Sequence, residues 1–279
     1  MDMELDGELD FILRYRILQT LFQPVFDSVT SRLYGYEALM RGPSNSALHA
    51  PLPLLRAASR AGRLPELDLL SRELAIRRFQ EQCLPGRLFL NLSPLSLVES
   101  SFRSGEMLKL LSEVWLAPER VVIEITEQQP LEDYGNLKAA LARYTEAGFE
   151  TAIDDLGAGY AGLRLWSELR PTYVKIDHHF VENIAGDRVK REFVRSIGEM
   201  AARIDCRVIA EGIESEEDYR AVQALGIRLH QGYHLARPLP QPLRDHGVVT
   251  ELDEHKGGQP RVRLSRYLGG LRKYSELKS

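Results

Sequence analysis

The chain has 279 residues, of which 44% are hydrophobic and 27% are charged, and its formal net charge is −4. This composition is typical of a globular protein with a substantial core, and it excludes a disordered chain, a collagen and a long coiled coil. The mild acidity also excludes a generally basic, nucleic-acid-binding surface. The two cysteines are too few for a disulfide framework, and they favour a reducing, cytoplasmic environment.

The two ends of the chain carry opposite charges. Residues 1–10 hold five acids and no base, which is the reverse of a signal peptide, whereas residues 256–279 hold seven lysines and arginines and one acid. The longest apolar runs are too short to span a bilayer, so no membrane span is expected. We therefore predict an acidic N-terminal segment at 1–14, one domain at 15–245, and a basic extension or linker at 246–279.

Short apolar runs alternate with longer stretches of helical period along the middle of the chain. The first two runs, at 21–26 and 33–39, are separated by a short polar turn and predict a hairpin. Further strands are predicted at 87–92, 120–126, 150–153, 172–176, 207–210 and 228–232. Helices are predicted between them, at 52–61, 67–80, 102–114, 136–147, 163–167, 188–204 and 216–224, the last with Ser215 as its N-cap.

The order of these elements indicates the fold. Repetition of strand and helix predicts a parallel sheet with helices outside it. Eight strands in roughly 230 residues predict an α/β fold of the modified (β/α)8 TIM-barrel type, with one antiparallel strand near the N-terminus. The alternative is an open, doubly wound sheet, which would need a phosphate-binding glycine loop after an early strand. The glycine-rich run at 157–159 instead follows two aspartates late in the chain.

Polar residues recur at the carboxyl ends of the predicted strands. Singly, each has an ordinary explanation, such as a surface ion pair, a turn, a helix cap or, at Lys175, an exposed lysine. Taken together, the residues recur once per strand–helix unit at the same end of each strand. This recurrence favours a shared site at the barrel mouth. The set comprises Glu37, Arg41, Asn91, Glu124, Glu127, Asp154, Asp155, Lys175, Asp177, Glu211, Glu214 and Gln231.

The chemistry of this set points to hard metal ions. Seven carboxylates crowded at one mouth repel each other and stay ionised only if cations neutralise them. Carboxylates with one asparagine amide suit Mg²⁺ or Mn²⁺, whereas zinc would favour cysteine or histidine. The adjacent Asp154 and Asp155 allow one carboxylate to bridge two metals, and two such metals activate a water for attack on a phosphodiester.

Eight motifs of the sequence resemble the EAL domain family, which are bacterial phosphodiesterases of cyclic di-GMP. They occur in order from about residue 15 to residue 243, and this ordered set is much more specific than any one of them. The motifs are Phe22-Gln23-Pro24, Glu37-Ala38-Leu39-Met40-Arg41, Asn91-Leu92-Ser93, Glu124-Ile125-Thr126-Glu127, Asp154-Asp155-Leu156-Gly157-Ala158-Gly159-Tyr160, Val174-Lys175-Ile176-Asp177, Glu211-Gly212-Ile213-Glu214 and Gln231-Gly232-Tyr233.

The resemblance implies the reaction and its metals. It implies hydrolysis of cyclic di-GMP to linear pGpG, with two Mg²⁺ or Mn²⁺ ions per site and inhibition by Ca²⁺. It also implies a homodimer, and a further signalling domain beyond the C-terminus, because EAL domains usually belong to longer chains. The residues that match the ligands of one metal are Glu37, Asn91, Glu124 and Asp154, and those that match the ligands of the second are Asp154 and Asp155.

The resemblance also assigns the remaining site residues. Lys175 matches the residue that holds the attacking water, and Glu211 matches the proposed general base. Arg41 falls on a phosphate contact, whereas Gln23, Leu39, Asp177 and Gln231 fall on nucleotide contacts. Glu127 and Glu214 match positions that steady the site and the loop after the aspartates.

The sequence departs from the family pattern in the loop after the aspartates. Leu156 replaces a usual phenylalanine, and Ala158 and Ala161 replace hydroxyl residues, which predicts a looser loop. Gly42 replaces a common tryptophan beside the nucleotide. These departures leave open a second function, a catalytically silent cyclic di-GMP receptor. A third, outside the family, is a barrel lyase with Lys175 as base.

Two neighbouring histidines follow the lysine strand. His178 and His179 would point apart on an extended chain, so we predict loop residues near the nucleotide rather than metal ligands.

Overall fold

A computed structural model describes residues 2–98, 104–126, 134–159 and 162–244. Eight strands form a closed barrel in chain order, which confirms the predicted barrel and excludes the open sheet. The strands are β1 (Gln19–Asp27), β2 (Arg32–Arg41), β3 (Arg87–Asn91), β4 (Val121–Thr126), β5 (Glu150–Leu156), β6 (Tyr173–Ile176), β7 (Arg207–Ala210) and β8 (Leu229–His230).

The first strand runs against the others. β1 pairs antiparallel with β2 on one side and with β8 on the other, whereas every other neighbouring pair from β2 to β8 is parallel. The reversal follows from the hairpin, because a short turn joins only antiparallel strands. The predicted antiparallel strand near the N-terminus is therefore confirmed.

Ten helices lie in the described part of the chain, and three of them were not predicted: α1, α4 and α8. They are α1 (Asp2–Tyr15), α2 (Pro51–Arg60), α3 (Leu64–Glu81), α4 (Pro94–Val98), α5 (Ser104–Glu113), α6 (Tyr134–Glu146), α7 (Gly162–Leu169), α8 (His178–Val181), α9 (Arg188–Arg203) and α10 (Glu216–Ala224). None of the helices in these residues is both long enough and apolar enough to cross a bilayer.

The two histidines after β6 are helical. The prediction that His178 and His179 are loop residues is wrong, because they begin α8. The carboxylate of Asp177 caps this short helix by accepting a hydrogen bond from the His179 N–H at 2.9 Å. An aspartate N-cap satisfies an amide that would otherwise lack a partner, and here it starts the helix directly after the strand.

The acidic N-terminal segment packs against the rest of the chain. Leu9, Ile12 and Leu13 of α1 are buried in a cluster with Leu54 of α2 and Leu67 of α3. The acidic residues lie at other positions of α1, so this helix has an apolar face although its sequence is strongly acidic. The domain boundaries at 14/15 and 245/246 stay predictions, and residues 245–279 lie outside the described part.

The barrel interior is a separate apolar layer. It is formed by Val25, Phe89, Val122, Ala152, Tyr173, Ile209 and Leu229. Side chains alternate between the two faces of a strand, so the residue two positions later faces the same interior, one step nearer the mouth. That rule places Asn91, Glu124, Asp154, Lys175, Glu211 and Gln231 directly above this layer.

The barrel closes on a short seam between β1 and β8. Phe26 pairs with His230 and Asp27 with Leu229, and the Asp27 carboxylate accepts two hydrogen bonds from Arg228, at 2.9 Å from Nε and 2.5 Å from Nη2. The Arg228 guanidinium lowers the pKa of Asp27 to about 2. Because this carboxyl group is more acidic in the folded state, it stabilises the fold above about pH 4, and that contribution is lost as the pH falls towards 2.

We expect Asp27→Asn to lower the free energy of unfolding by about 1–3 kcal/mol at pH 7, because a charged, bidentate hydrogen bond at the seam is lost. Urea denaturation followed by circular dichroism measures it. Arg195→Gln is the matched control, since the Arg195–Glu192 pair is exposed and its loss should change stability far less than the loss of the buried carboxylate. Equal effects of the two variants would contradict a role for the seam.

Candidate functional site

Five carboxylates converge at the mouth of the barrel in two overlapping groups. Glu37, Glu124 and Asp154 form one group, and Asp154, Asp155 and Glu211 form the other. Within each group the candidate ligand oxygens all lie within 4.8 Å of one another. Asp154 belongs to both groups, which is the arrangement expected of a carboxylate that bridges two metal ions.

The ammonium of Lys175 lies at the centre of these acids. Its Nζ is 2.7 Å from Glu211, 2.8 Å from Glu124, 2.9 Å from Asp154 and 3.2 Å from Glu37, and the side chain is 1% exposed. Burial alone would lower the pKa of this lysine, but the four carboxylates raise it well above its usual value. The ordinary explanation of an exposed lysine is therefore wrong, and Lys175 is the internal counter-ion of the site.

One cation does not neutralise the group. Glu124 is fully buried, and burial, with Glu37 and Asp154 as further contributors, raises its pKa well above the usual range despite Lys175. Within the described residues, Oε1 of Glu124 and Oδ1 of Asp154 have no partner other than the Lys175 ammonium, and Oε2 of Glu124 has no hydrogen-bond donor. Buried carboxylate oxygens held only by one shared ammonium are strong candidates for metal ligation.

The strand that carries the two aspartates is irregular. The register between β5 and β6 shifts after Ile153, and Asp155 has a φ of +55°. This left-handed conformation is tolerated by aspartate better than by most residues, and it breaks the alternation so that successive carboxylates serve one site. Burial, then the neighbouring Asp154, raises the pKa of Asp155 to about 7.

Two amide side chains hold Glu37 in place. Asn91 donates from Nδ2 to Oε1 of Glu37 at 2.9 Å, and Gln231 donates from Nε2 to Oε2 at 2.8 Å. Each amide therefore orients its oxygen away from the Glu37 carboxylate. The Asn91 oxygen stays available as a metal ligand.

The remaining predicted residues are distributed around this centre. Leu39 and Arg41 follow Glu37 on the same face of β2, and Arg41 is half-buried, which lowers its pKa even though Tyr233 and Glu37 oppose the shift. Gln23 donates to the Ala236 carbonyl at 3.4 Å. Asp177 caps α8 as described above.

Five of the six described carboxylates of the predicted set gather at the site. The sixth, Glu214, is exposed and belongs to neither carboxylate group. Glu127 lies outside the described residues, as do Tyr160 and Ala161 of the loop after the aspartates.

Sequence reasoning missed the contacts made by α8. His178 lies against Gly212, and the ring of Phe180 lies so close to Gly157 that an added Cβ there would be 2.2 Å from it. No sequence signal marks these contacts, because they join segments that are tens of residues apart. A glycine after each acidic motif is the nearest hint of close approach.

The donor set fits divalent metal ions. It consists of carboxylate oxygens and one amide oxygen, without cysteine or histidine among the described residues, which favours Mg²⁺ or Mn²⁺ over zinc. The buried oxygens of Glu124 and Asp154, which have no partner apart from Lys175, are the positions that a cation would satisfy.

The chain matches the EAL domain family over residues 12–238. The protein is a member of the EAL domain family. It is 30% identical to "Cyclic di-GMP phosphodiesterase PA2567" of Pseudomonas aeruginosa over 232 residues, which cover 81% of this chain and 39% of that protein. It is also 26% identical to "Blue light- and temperature-regulated antirepressor BluF" of Escherichia coli over 212 residues, which cover 76% of this chain and 52% of that protein.

Solved structures of the family share the fold. BlrP1 of Klebsiella pneumoniae, solved as a complex with manganese and cyclic di-GMP, matches with a TM-score of 0.74 and 30% identity, covering 80% of this chain and 56% of that one. A calcium and cyclic di-GMP complex of the same protein matches equally well. The chain therefore spans well under two thirds of the length of these relatives.

We expect the affinity for Mn²⁺ to rise between about pH 6 and about pH 8, because a metal must displace the proton that Asp155 holds below pH 7. Isothermal titration calorimetry in buffers of different ionisation enthalpy measures the affinity and the protons released. Affinity that is independent of pH, without proton release, would contradict a role for Asp155 as a ligand.

The raised pKa of Asp155 also makes the stability of the metal-free protein depend on pH, in the opposite direction to the metal affinity. The folded state holds a proton on Asp155 that the unfolded state loses near pH 3.8, so stability falls as the pH rises from about 4 to about 7. Bound Mn²⁺ would remove this penalty. The rise in melting temperature on adding Mn²⁺ should consequently be larger at pH 8 than at pH 6.

Proposed function

We propose that the protein is a metal-dependent phosphodiesterase that hydrolyses cyclic di-GMP to linear pGpG and so lowers the level of this second messenger. The observation that carries the proposal is the pair of carboxylate groups that share Asp154 around Lys175. The names of the relatives, "Cyclic di-GMP phosphodiesterase PA2567" among them, and the manganese and cyclic di-GMP complex of BlrP1 support it. Mg²⁺ or Mn²⁺ is the proposed metal, and Ca²⁺ is proposed to inhibit.

One metal ion would be held by Glu37, Asn91, Glu124 and Asp154, and the second by Asp154 and Asp155, with the Glu211 carboxylate beside the second ion. When bound, they would supply positive charge for the phosphate and lower the pKa of the attacking water.

The chain's own groups would do the rest of the chemistry. Lys175 orients the water by donating to it, and Glu211 accepts its proton, since burial raises the pKa of this carboxyl group well above the usual range. Arg41 offsets the phosphate charge, and Gln23, Leu39, Asp177 and Gln231 contact the nucleotide.

The alternative is a catalytically silent receptor that passes the cyclic di-GMP level to a partner. One relative, BluF, is named as an antirepressor rather than as an enzyme. The substitutions at Leu156, Ala158 and Ala161 also favour it. The complete set of acidic residues at the site favours turnover instead. The lyase alternative, in which Lys175 would act as a base on a carboxylate substrate, is weaker. Four carboxylates surround Lys175 and would repel such a substrate.

We expect purified protein with Mg²⁺ or Mn²⁺ to convert cyclic di-GMP to pGpG, and expect Glu37→Gln and Glu211→Gln to lower kcat by at least about 100-fold. Chromatographic separation of the nucleotides measures turnover. Glu217→Gln, on the exposed face of α10, is the matched control and should retain full activity. Tight binding of cyclic di-GMP by the wild-type protein without pGpG formation would support the receptor instead.

We propose that the protein forms a homodimer through α9. Val189, Phe193 and Met200 of this helix, and Ile204 directly after it, expose a row of apolar side chains. The Phe193 ring lies 5.9 Å from that of Phe180, which supports the loop after the aspartates at Gly157. The apolar face of α9 is therefore connected through Phe180 to the loop after the aspartates. A second copy of the chain would cover this face.

We expect Phe193→Glu to shift the protein from dimer to monomer, because a charge in an apolar interface must be desolvated. Multi-angle light scattering measures the mass. Glu199→Lys is the control, since it changes charge on an exposed position of the same helix outside the apolar row. A wild-type monomer, or a dimer in both variants, would contradict the proposal.

We also propose that the protein is cytoplasmic. Cys83 and Cys206 are free thiols, which fits a reducing compartment. A further signalling domain beyond residue 279 is proposed because the chain spans 39% of the relative PA2567.

A further inference from the structure

The ring of His178 lies on the peptide that follows Glu211. Its Nδ1 is 3.0 Å from the carbonyl oxygen of Gly212. A carbonyl can only accept, so Nδ1 carries the proton and donates. Gly212 has a φ of +65°, and a Cβ added there would lie 2.2 Å from this nitrogen. The imidazole therefore fills the space above Gly212 as well as bonding to it.

Four hydrogen bonds hold the segment that carries Glu211. The Glu211 N–H donates to the Ile176 carbonyl at 3.2 Å, the Ile213 N–H donates to the Gln231 carbonyl at 3.1 Å, and the Ile213 carbonyl accepts from the His234 N–H at 2.9 Å. The fourth is the bond from His178 to Gly212 between them. Three of the four join backbone to backbone, whereas the fourth comes from a side chain and is removed by a substitution.

The orientation of this segment determines where the Glu211 carboxylate lies. β7 ends at Ala210, so Glu211 stands just beyond the strand, where the hydrogen bond from its own N–H to Ile176 of β6 joins it to the sheet. Its carboxylate must nevertheless lie 2.7 Å from Lys175 and within reach of Asp154 and Asp155. Partners that orient such groups affect metal affinity or activity by roughly 10–100-fold.

We propose that His178 is a positioning residue for Glu211, acting through its hydrogen bond to the Gly212 carbonyl. The effect on turnover rests on the proposed function, whereas the effect on metal binding at the second carboxylate group does not. The other nearby partner of the ring is Glu182, whose carboxylate is 3.8 Å from Nε2 and exposed, and this weak contact does not fix the segment.

Two substitutions of the same shape separate the hydrogen bond from the packing. His178→Asn places an N–H near the position of Nδ1, whereas His178→Leu has the same branching without a donor. We expect His178→Leu to lower kcat by about tenfold with KM changed by less than about twofold, because Glu211 acts on the water rather than on the substrate. His178→Asn should recover most of that loss.

A second readout does not need turnover. Calorimetric titration with Mn²⁺ should show one of the two sites weakened about tenfold in His178→Leu and restored in His178→Asn. Glu182→Gln is the matched control, because it removes the exposed carboxylate 3.8 Å from Nε2 and leaves the bond from Nδ1 to Gly212, and it should match the wild-type protein in both measurements.

The outcomes distinguish the two proposals. Wild-type values of kcat and Mn²⁺ affinity in His178→Leu would overturn the positioning role, and so would equal losses in the leucine and asparagine variants. Wild-type protein that binds Mn²⁺ without hydrolysing cyclic di-GMP would overturn the proposed function, while the metal titrations still decide the role of His178. Wild-type protein that binds no Mn²⁺ would overturn both.

Discussion

The site depends on one buried ammonium surrounded by carboxylates. An unpaired charge in the barrel centre would be strongly unfavourable, and four acids around Lys175 remove that penalty. The acids themselves are not neutralised, because Asp155 brings their number to five and the ammonium supplies one positive charge. Burial, and then the remaining negative charge, raises the pKa of Glu124 and Glu211, and this charge is what a divalent cation would relieve. The ammonium thus keeps the acids together, and their excess makes them candidate metal ligands.

The barrel fold supplies this arrangement through the alternation of side chains. Phe89, Val122 and Tyr173 fill the interior, and the residue two positions after each of them is a polar member of the site. Because neighbouring strands supply neighbouring ligands, the site exists only when the barrel is closed. The closing seam between β1 and β8 is two residue pairs long and is held by Asp27 and Arg228. Stability at the bottom of the barrel and chemistry at its mouth are therefore properties of the same closed sheet.

Much of this was predictable from the sequence. Strand ends at regular spacing predicted that Glu124 and Asp154 would lie together, and a hairpin without an intervening helix predicted the antiparallel strand. The burial of Lys175 was not predictable, because a single lysine in a sequence is expected to be exposed. Only the assembled acids reverse that expectation. The left-handed Asp155 was not predictable either, because it arises from a register shift between β5 and β6. Contacts such as that of His178 with Gly212 depend on packing between distant segments.

The short helix α8 connects the parts of the site that the sequence left separate. Asp177 starts it, His178 holds the segment after β7, and Phe180 supports Gly157 in the loop after β5. The loop that lacks the usual hydroxyl at Ala158 is thus supported from outside by an aromatic ring, which in turn packs on Phe193 of α9. One four-residue helix therefore contacts the segments that follow β5 and β7 as well as the exposed apolar face of α9. Phe193, Phe180 and His178 thus form a continuous set of contacts from that face to the segments next to Asp155 and Glu211.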